Sequence, residues 1–116
     1  MAIMTATPLS ASSGGRPVPI IATSSPGTTL HTLSTATGVV EEVYLDVYNI
    51  TATGATLQLE AGSTATLGII SIFFSGNSMQ RVLAGARYLA ATGAISAYAS
   101  ATNVFQALGG VNKATP

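Results

Sequence analysis

The chain has 116 residues, enough for one domain with a buried core. Only 7% of the residues are charged and the formal net charge is zero, whereas charged residues make up roughly 25% of an average soluble domain. A monomer with so little charge tends to associate or precipitate, so we expect partners to cover much of its surface. The four basic residues are scattered along the chain, which argues against the phosphate contacts that nucleic-acid binding requires.

The composition also argues against disulfides and against a membrane partner. Cysteine is absent, so neither a disulfide nor thiolate chemistry is available. The longest apolar stretch, at 67–74, is interrupted by Gly68 and Ser71 and is too short to cross a bilayer. Residues 1–13 lack the basic and apolar regions of a signal peptide.

The first third of the chain predicts an arm followed by two short strands. Residues 1–16 are rich in Ala, Ser, Thr, Pro and Gly, and we expect an extended arm or a flexible lead-in. Residues 17–22 predict an edge strand, because the two prolines in it cannot donate to a central ladder. The sequence leaves open whether this strand pairs within its own subunit or with a neighbour. Residues 28–33 predict a short strand of β-branched residues.

The clearest strand pattern lies at 43–48, where apolar and polar residues alternate. Val43, Leu45 and Val47 share one face of this strand. The residues between them share the other face, which we call the outward stripe: Glu42, Tyr44, Asp46 and Tyr48. Residues 55–60 follow a turn and carry two inward leucines, so the two segments predict a hairpin.

The remaining pattern is also β. Strands are predicted at 66–74, at 79–83 and 87–90 on either side of Gly85, at 94–100 and at 104–111, where Gly109 and Gly110 suggest a bulge. About eight short strands with turns every 8–12 residues predict an all-β fold, an antiparallel β-sandwich or jelly roll. The expected organisation is an N-terminal arm (1–16), a sandwich domain (17–113) and a tail (114–116).

No residue pattern predicts catalysis, metal binding or a cofactor. His31 is the only histidine and there is no cysteine, so the usual zinc ligand sets cannot form. We expect His31 to be a strand residue that is exposed or at an interface. Glu42 and Asp46 share a face but lie about 13 Å apart along a strand, too far for a pair of catalytic carboxylates. The sequence therefore predicts a protein that is not an enzyme.

The outward stripe is the best candidate for a contact surface. Tyrosine offers a large contact area with a polar tip and is enriched in binding interfaces. The two stripe acids are expected to meet Arg81 or Arg87, either in the same subunit or from a neighbour. Such pairs contribute little stability at a surface and act mainly on register and partner choice. Arg16 of the arm completes the set of candidate interface residues.

Several short motifs resemble a group of small structural proteins of tailed bacteriophages. The similar segments are Pro-Val-Pro-Ile-Ile-Ala-Thr-Ser-Ser-Pro-Gly-Thr-Thr-Leu-His-Thr at 17–32, Glu-Val-Tyr-Leu-Asp-Val-Tyr-Asn-Ile-Thr at 42–51, Ala-Thr-Leu-Gln-Leu-Glu at 55–60, Ala-Tyr-Ala-Ser-Ala-Thr-Asn-Val at 97–104 and Gly-Val-Asn-Lys at 110–113. The resemblance covers most of 17–113. It implies a virion component with a β-sandwich fold and no catalytic residue.

The expected function is that of a capsid decoration (cement) protein that stabilises the assembled head. Its partners would be the major capsid protein or another virion protein, together with copies of itself in a homo-oligomer, for which we favour a trimer. The expected location is the virion, assembled in the host cytoplasm. The alternative is a tail, baseplate or fibre-associated protein. A carbohydrate-binding module is less favoured, because there is no tryptophan for a sugar platform.

Overall fold

A computed structural model describes residues 3–62, 69–89 and 93–116. All of the regular secondary structure in these residues is β-strand. The strands are β1 (Ile3–Pro8), β2 (Val18–Pro19), β3 (Thr28–Thr32), β4 (Val40–Asn49), β5 (Ala55–Ala61), β6 (Ile69–Phe74), β7 (Met79–Leu89), β8 (Ala94–Ala99) and β9 (Phe105–Thr115).

The strands form two antiparallel sheets. The first sheet has the order β1-β9-β4-β7, and β2 pairs with β9 further along the edge that β1 occupies. The second sheet has the order β3-β8-β5-β6. The inward faces of both sheets contribute to one apolar core, so the predicted all-β sandwich is confirmed.

The alternation in β4 explains how the core is filled. Val43, Leu45 and Val47 are fully buried on the inward side, as predicted, and Leu57 and Leu59 of β5 are buried from the other sheet. The rings of the core residues Phe74 and Phe105 meet edge to face, with centroids 5.0 Å apart. The other large, fully buried apolar side chains are Leu9, Ile20, Leu30 and Ile95.

The predicted hairpin between 43–48 and 55–60 is wrong. Strand β4 pairs with β7 and β9, whereas β5 pairs with β6 and β8 in the opposite sheet. The connection between them crosses from one sheet to the other around the buried side chain of Asn49. Its amide donates to the carbonyls of Thr53 and Ser75, and its oxygen accepts from the backbone N–H and hydroxyl of Thr51.

Three glycines have roles other than those expected. Residues 79–89 form one continuous strand, and the register shift at Gly85 (φ +85°) is a bulge within it. Gly109 and Gly110 keep the register with β4, so the expected bulge is absent. A Cβ atom on Gly109 would lie 2.0 Å from the carbonyl oxygen of Tyr44, so close approach of two backbones requires glycine there. The start of the strand predicted at 66–74 and the end of the strand predicted at 87–90 lie outside the described residues.

The two ends of the chain extend the first sheet. Instead of a lead-in, Ile3–Pro8 forms β1 and pairs with the C-terminal half of β9, which continues to Thr115. The predicted edge strand at 17–22 shortens to Val18–Pro19, which pairs with β9 of the same chain. Residues 9–17 loop away from β9 towards β3, where the backbone N–H of Ala11 bonds to the carbonyl of Leu30.

Candidate interaction surface

The outward stripe lies where the sequence predicts it, on the outer face of the first sheet. All four of its side chains are half-buried between β7 and β9. Strand β9 places Gln106, Leu108, Gly110 and Asn112 opposite the four stripe residues. The stripe is therefore flanked by strands on both sides.

Both stripe acids pair with arginines of the same chain. Cross-strand register places Arg81 opposite Asp46 and Arg87 opposite Glu42. The Nε atom of Arg81 lies 2.8 Å from Oδ1 of Asp46, and the Nε atom of Arg87 lies 3.0 Å from Oε2 of Glu42. The hydrogen bond that the Arg81 guanidinium donates to Asp46 raises the pKa of Arg81. The predicted pairing is thus intramolecular, and it leaves this face without net charge.

Tyr44 is fixed in position by the bulge in β7. A Cβ atom on Gly85 would lie 3.2 Å from the Tyr44 hydroxyl oxygen, so the ring lies against the bare glycine. Tyr48 has no such glycine and lies opposite Met79, whose side chain is half exposed. At the other end of the face, a depression of about 260 Å³ is lined by Met4, Val40, Glu42, Arg87, Asn112 and Ala114.

Arg16 is not part of this face. It lies in the loop between β1 and β2, at the opposite edge of the first sheet from β7. Its backbone closes a turn, in which its N–H donates to the carbonyl of Ser13 and its carbonyl accepts from the Ser12 hydroxyl. The structure thus brings together six of the seven candidate interface residues.

His31 forms a buried pair with Glu41, contrary to its expected exposure. Only 5% of His31 is exposed, and its Nε2 atom lies 2.7 Å from Oε2 of Glu41. The backbone N–H of Ser10 donates to Nδ1, so Nε2 carries the hydrogen and donates to the carboxylate. The other carboxylate oxygen accepts from the N–H of Ser34. Both ring nitrogens of His31 and both carboxylate oxygens of Glu41 thus have a hydrogen-bond partner. The pair links the N-terminal loop to both sheets.

One sequence signal for this pair was available. Glu41 has the same parity as Val43 on β4 and therefore points into the sandwich. A carboxylate on a core face needs a partner, and His31 is the only histidine. A depression of about 690 Å³ borders the pair, lined in part by Ser10, Thr32 and Lys113.

Glu60 is the centre of a second buried polar cluster, which sequence reasoning missed. Its side chain is fully buried, although its parity is opposite to that of Leu57 and Leu59, because the loop at 25–27 covers it. Its oxygens accept from the Ser25 hydroxyl (2.5 Å), the Gly27 N–H (2.6 Å) and the Ser96 hydroxyl (2.7 Å). Burial acts to raise the pKa of Glu60, but these three hydrogen bonds outweigh it and the pKa is lowered.

No family model, curated protein sequence or solved structure matches this chain. In residues 3–62, 69–89 and 93–116, no three His, Asp or Glu side chains cluster in a way that suits a metal ion. The same residues contain no helix of the length and apolarity needed to cross a membrane.

Proposed function

We propose that this chain is a non-enzymatic structural protein of a tailed-phage virion that decorates the assembled head as a cement protein. The observation that carries the proposal is the lack of free charge on the folded surface. Two acids and two arginines pair with each other on the outer face, and Glu41 and Glu60 are buried. Among the described residues, Arg16 and Lys113 are the only charged side chains outside these pairs and buried clusters.

The apolar part of the surface supports the same proposal. A surface with few unpaired charges and exposed apolar side chains favours association with other proteins. The exposed large apolar side chains are Ile3, Met4, Ile21, Ile50, Ile70, Phe73, Met79 and Leu89. The resemblance of 17–32, 42–51, 55–60, 97–104 and 110–113 to phage structural proteins supports a virion as the place where such covering occurs.

A cement protein acts through linkage between binding and assembly. It binds the closed lattice and not the separated subunits, so its binding free energy adds to the stability of the shell. Contacts that are weak individually are sufficient for stable attachment when the symmetry of the shell repeats them. In this proposal the partner is the major capsid protein, and copies of the chain associate around a local symmetry axis, as a trimer.

We assign the capsid contact to the outer face of the first sheet. Its two ion pairs are satisfied within the chain, so covering them requires no new charge on the partner. Their exposed positions also mean that they contribute little stability to the isolated protein. We assign the anchor to Tyr48, because it lies opposite the exposed Met79 and a partner can cover both side chains together.

Purified protein added to undecorated heads tests the proposal. We expect attachment at a fixed copy number per capsomer, visible by electron microscopy and by co-sedimentation. Tyr48→Ala should weaken attachment several-fold. Tyr98→Ala is the matched control, since Tyr98 is a half-buried tyrosine on the outer face of the second sheet, and its loss should leave attachment unchanged.

Two outcomes would contradict parts of the proposal. Attachment confined to tails, baseplates or fibres would replace the head assignment with the alternative virion position. Equal loss of head binding in the Tyr48 and Tyr98 variants would show that the outer face of the first sheet is not the specific contact surface. Absence of binding to any part of the particle would overturn the virion proposal itself.

A further inference from the structure

The first strand is held to the domain almost entirely by its backbone. All six side chains of β1 are exposed, and its contacts are the ladder of pairs from Ile3–Thr115 to Pro8–Gly110. Ile3 and Met4 are 60% and 63% exposed, although they are large and apolar. A strand of this kind fits any edge of the same backbone geometry and register.

The residues after β1 form a short anchor. Leu9 is only 1% exposed and belongs to the core. The N–H of Ser10 donates to His31, and the hydroxyl of Ser10 accepts from the N–H of Thr32. Residues 3–12 therefore carry a complete set of contacts, made up of a backbone ladder, one buried side chain and hydrogen bonds to β3.

A turn suited to act as a hinge follows the anchor. Gly14 and Gly15 have φ values of +62° and +82°, and a Cβ atom on either would meet nothing within 4 Å. No side chain of the turn 13–16 is buried. Extending these four residues would carry the segment about 13 Å away from its own β2.

We propose that residues 3–12 are exchanged between copies of this chain, each copy placing its segment on β9, β3 and His31 of the next. This inference goes beyond the proposed function and does not depend on it. Exchange keeps every contact of the segment, because the acceptor site is identical on each copy.

A second copy is the occupant that the geometry favours. The acceptor edge of β9 is matched in register to Ile3–Pro8 over six consecutive pairs. The core position of Leu9 and the acceptor nitrogen of His31 match the two residues that follow. Another protein would need to reproduce all three features, whereas every copy of this chain carries them.

Engineered cysteines test the exchange, because the chain has none of its own. One chain carries Ala6→Cys and another, with a different affinity tag, carries Asn112→Cys; these positions are partners in the β1–β9 ladder. The two chains are refolded together at high concentration and oxidised. A disulfide between the differently tagged chains forms efficiently only if β1 of one chain lies on β9 of the other.

The matched control replaces Asn112→Cys with Ala52→Cys, an exposed position just beyond the far end of β4. We expect the Ala6/Asn112 mixture to give several-fold more interchain disulfide than this control. A double variant with both cysteines in one chain should then form closed covalent oligomers, whose mass gives the order of the assembly. Purely intrachain disulfide in the double variant, with no excess over the control in the mixture, would overturn the proposal.

The hinge supplies an independent check. Insertion of eight Gly and Ser residues between Gly14 and Gly15 should lower the interchain yield, since a longer hinge lets the segment fold back onto its own domain. An unchanged yield would contradict the assignment of the hinge to 13–16. Because all of these readouts use purified protein, their failure is distinguishable from a failure to bind phage heads.

Discussion

Replacing Glu60 with glutamine should cost about 2 kcal/mol of unfolding free energy at neutral pH. The buried carboxylate accepts three hydrogen bonds, from Ser25, Gly27 and Ser96. Hydrogen bonds to a charged acceptor contribute about 1 kcal/mol more than neutral ones, or about 3 kcal/mol for three. The lower cost of burying a neutral amide offsets part of this difference.

The pH dependence provides the sharper assay. The folded-state pKa of Glu60 lies below its ordinary value of 4.5, so the unfolded state binds the proton more readily. The stabilisation is therefore fully present above the unfolded-state pKa and is lost as the pH falls through the lower folded-state pKa. Urea unfolding of the wild-type and Glu60→Gln proteins should show a constant difference from about pH 7 to about pH 5, which shrinks towards about pH 3.

Glu42→Gln is the matched control, because it removes a carboxylate from an exposed ion pair. Its effect should stay within about 0.5 kcal/mol, as is usual for surface pairs. The reasoning is refuted if the Glu60 variant is as stable as this control at neutral pH. It is also refuted if the difference between wild type and the Glu60 variant does not change on acidification.

Two further substitutions test other buried features. His31→Ala leaves the buried carboxylate of Glu41 without its donor and should lower the unfolding free energy by about 3 kcal/mol; a loss below about 1 kcal/mol in urea unfolding would contradict the proposed link. Gly109→Ala would place a Cβ atom 2.0 Å from the Tyr44 carbonyl oxygen and should lower the thermal midpoint more than Gly110→Ala, whose nearest contact would be 3.1 Å. Equal midpoints would show that strands β4 and β9 can move apart without loss of stability.

Most of the strands were predictable from the sequence, but their partners were not. Alternation over 43–48 determines which face of β4 is buried, and the structure confirms that face. The hairpin prediction was wrong because β4 and β5 each carry apolar inward residues, and this pattern fits two different arrangements. They are buried equally well as neighbours in one sheet or as facing strands of two sheets, and the period-two pattern is the same in each case. The buried contacts of Asn49 select the crossover, and they carry no periodic signal.

Charge pairing on the outer face was predictable, whereas the burial of Glu60 was not. Only two arginines lie near each other in the sequence, and the stripe acids are their natural cross-strand partners. The burial of Glu60 depends on where the loop at 25–27 lies, which is a long-range property. The pairing of β1 with β9 was likewise not predictable, because the composition of 1–16 resembles that of a flexible linker.

The topology has a consequence for how the domain is made. Strand β9 pairs with β1, β2 and β4, so the first sheet cannot be completed until β9 has left the ribosome. Among the paired strands, only β5 and β6 are consecutive in the chain. A fold built from such distant pairings is expected to form slowly, since chain entropy is lost before the contacts are gained. During that delay β1 has no partner of its own, and on a crowded messenger RNA the first β9 it meets can be that of the preceding chain.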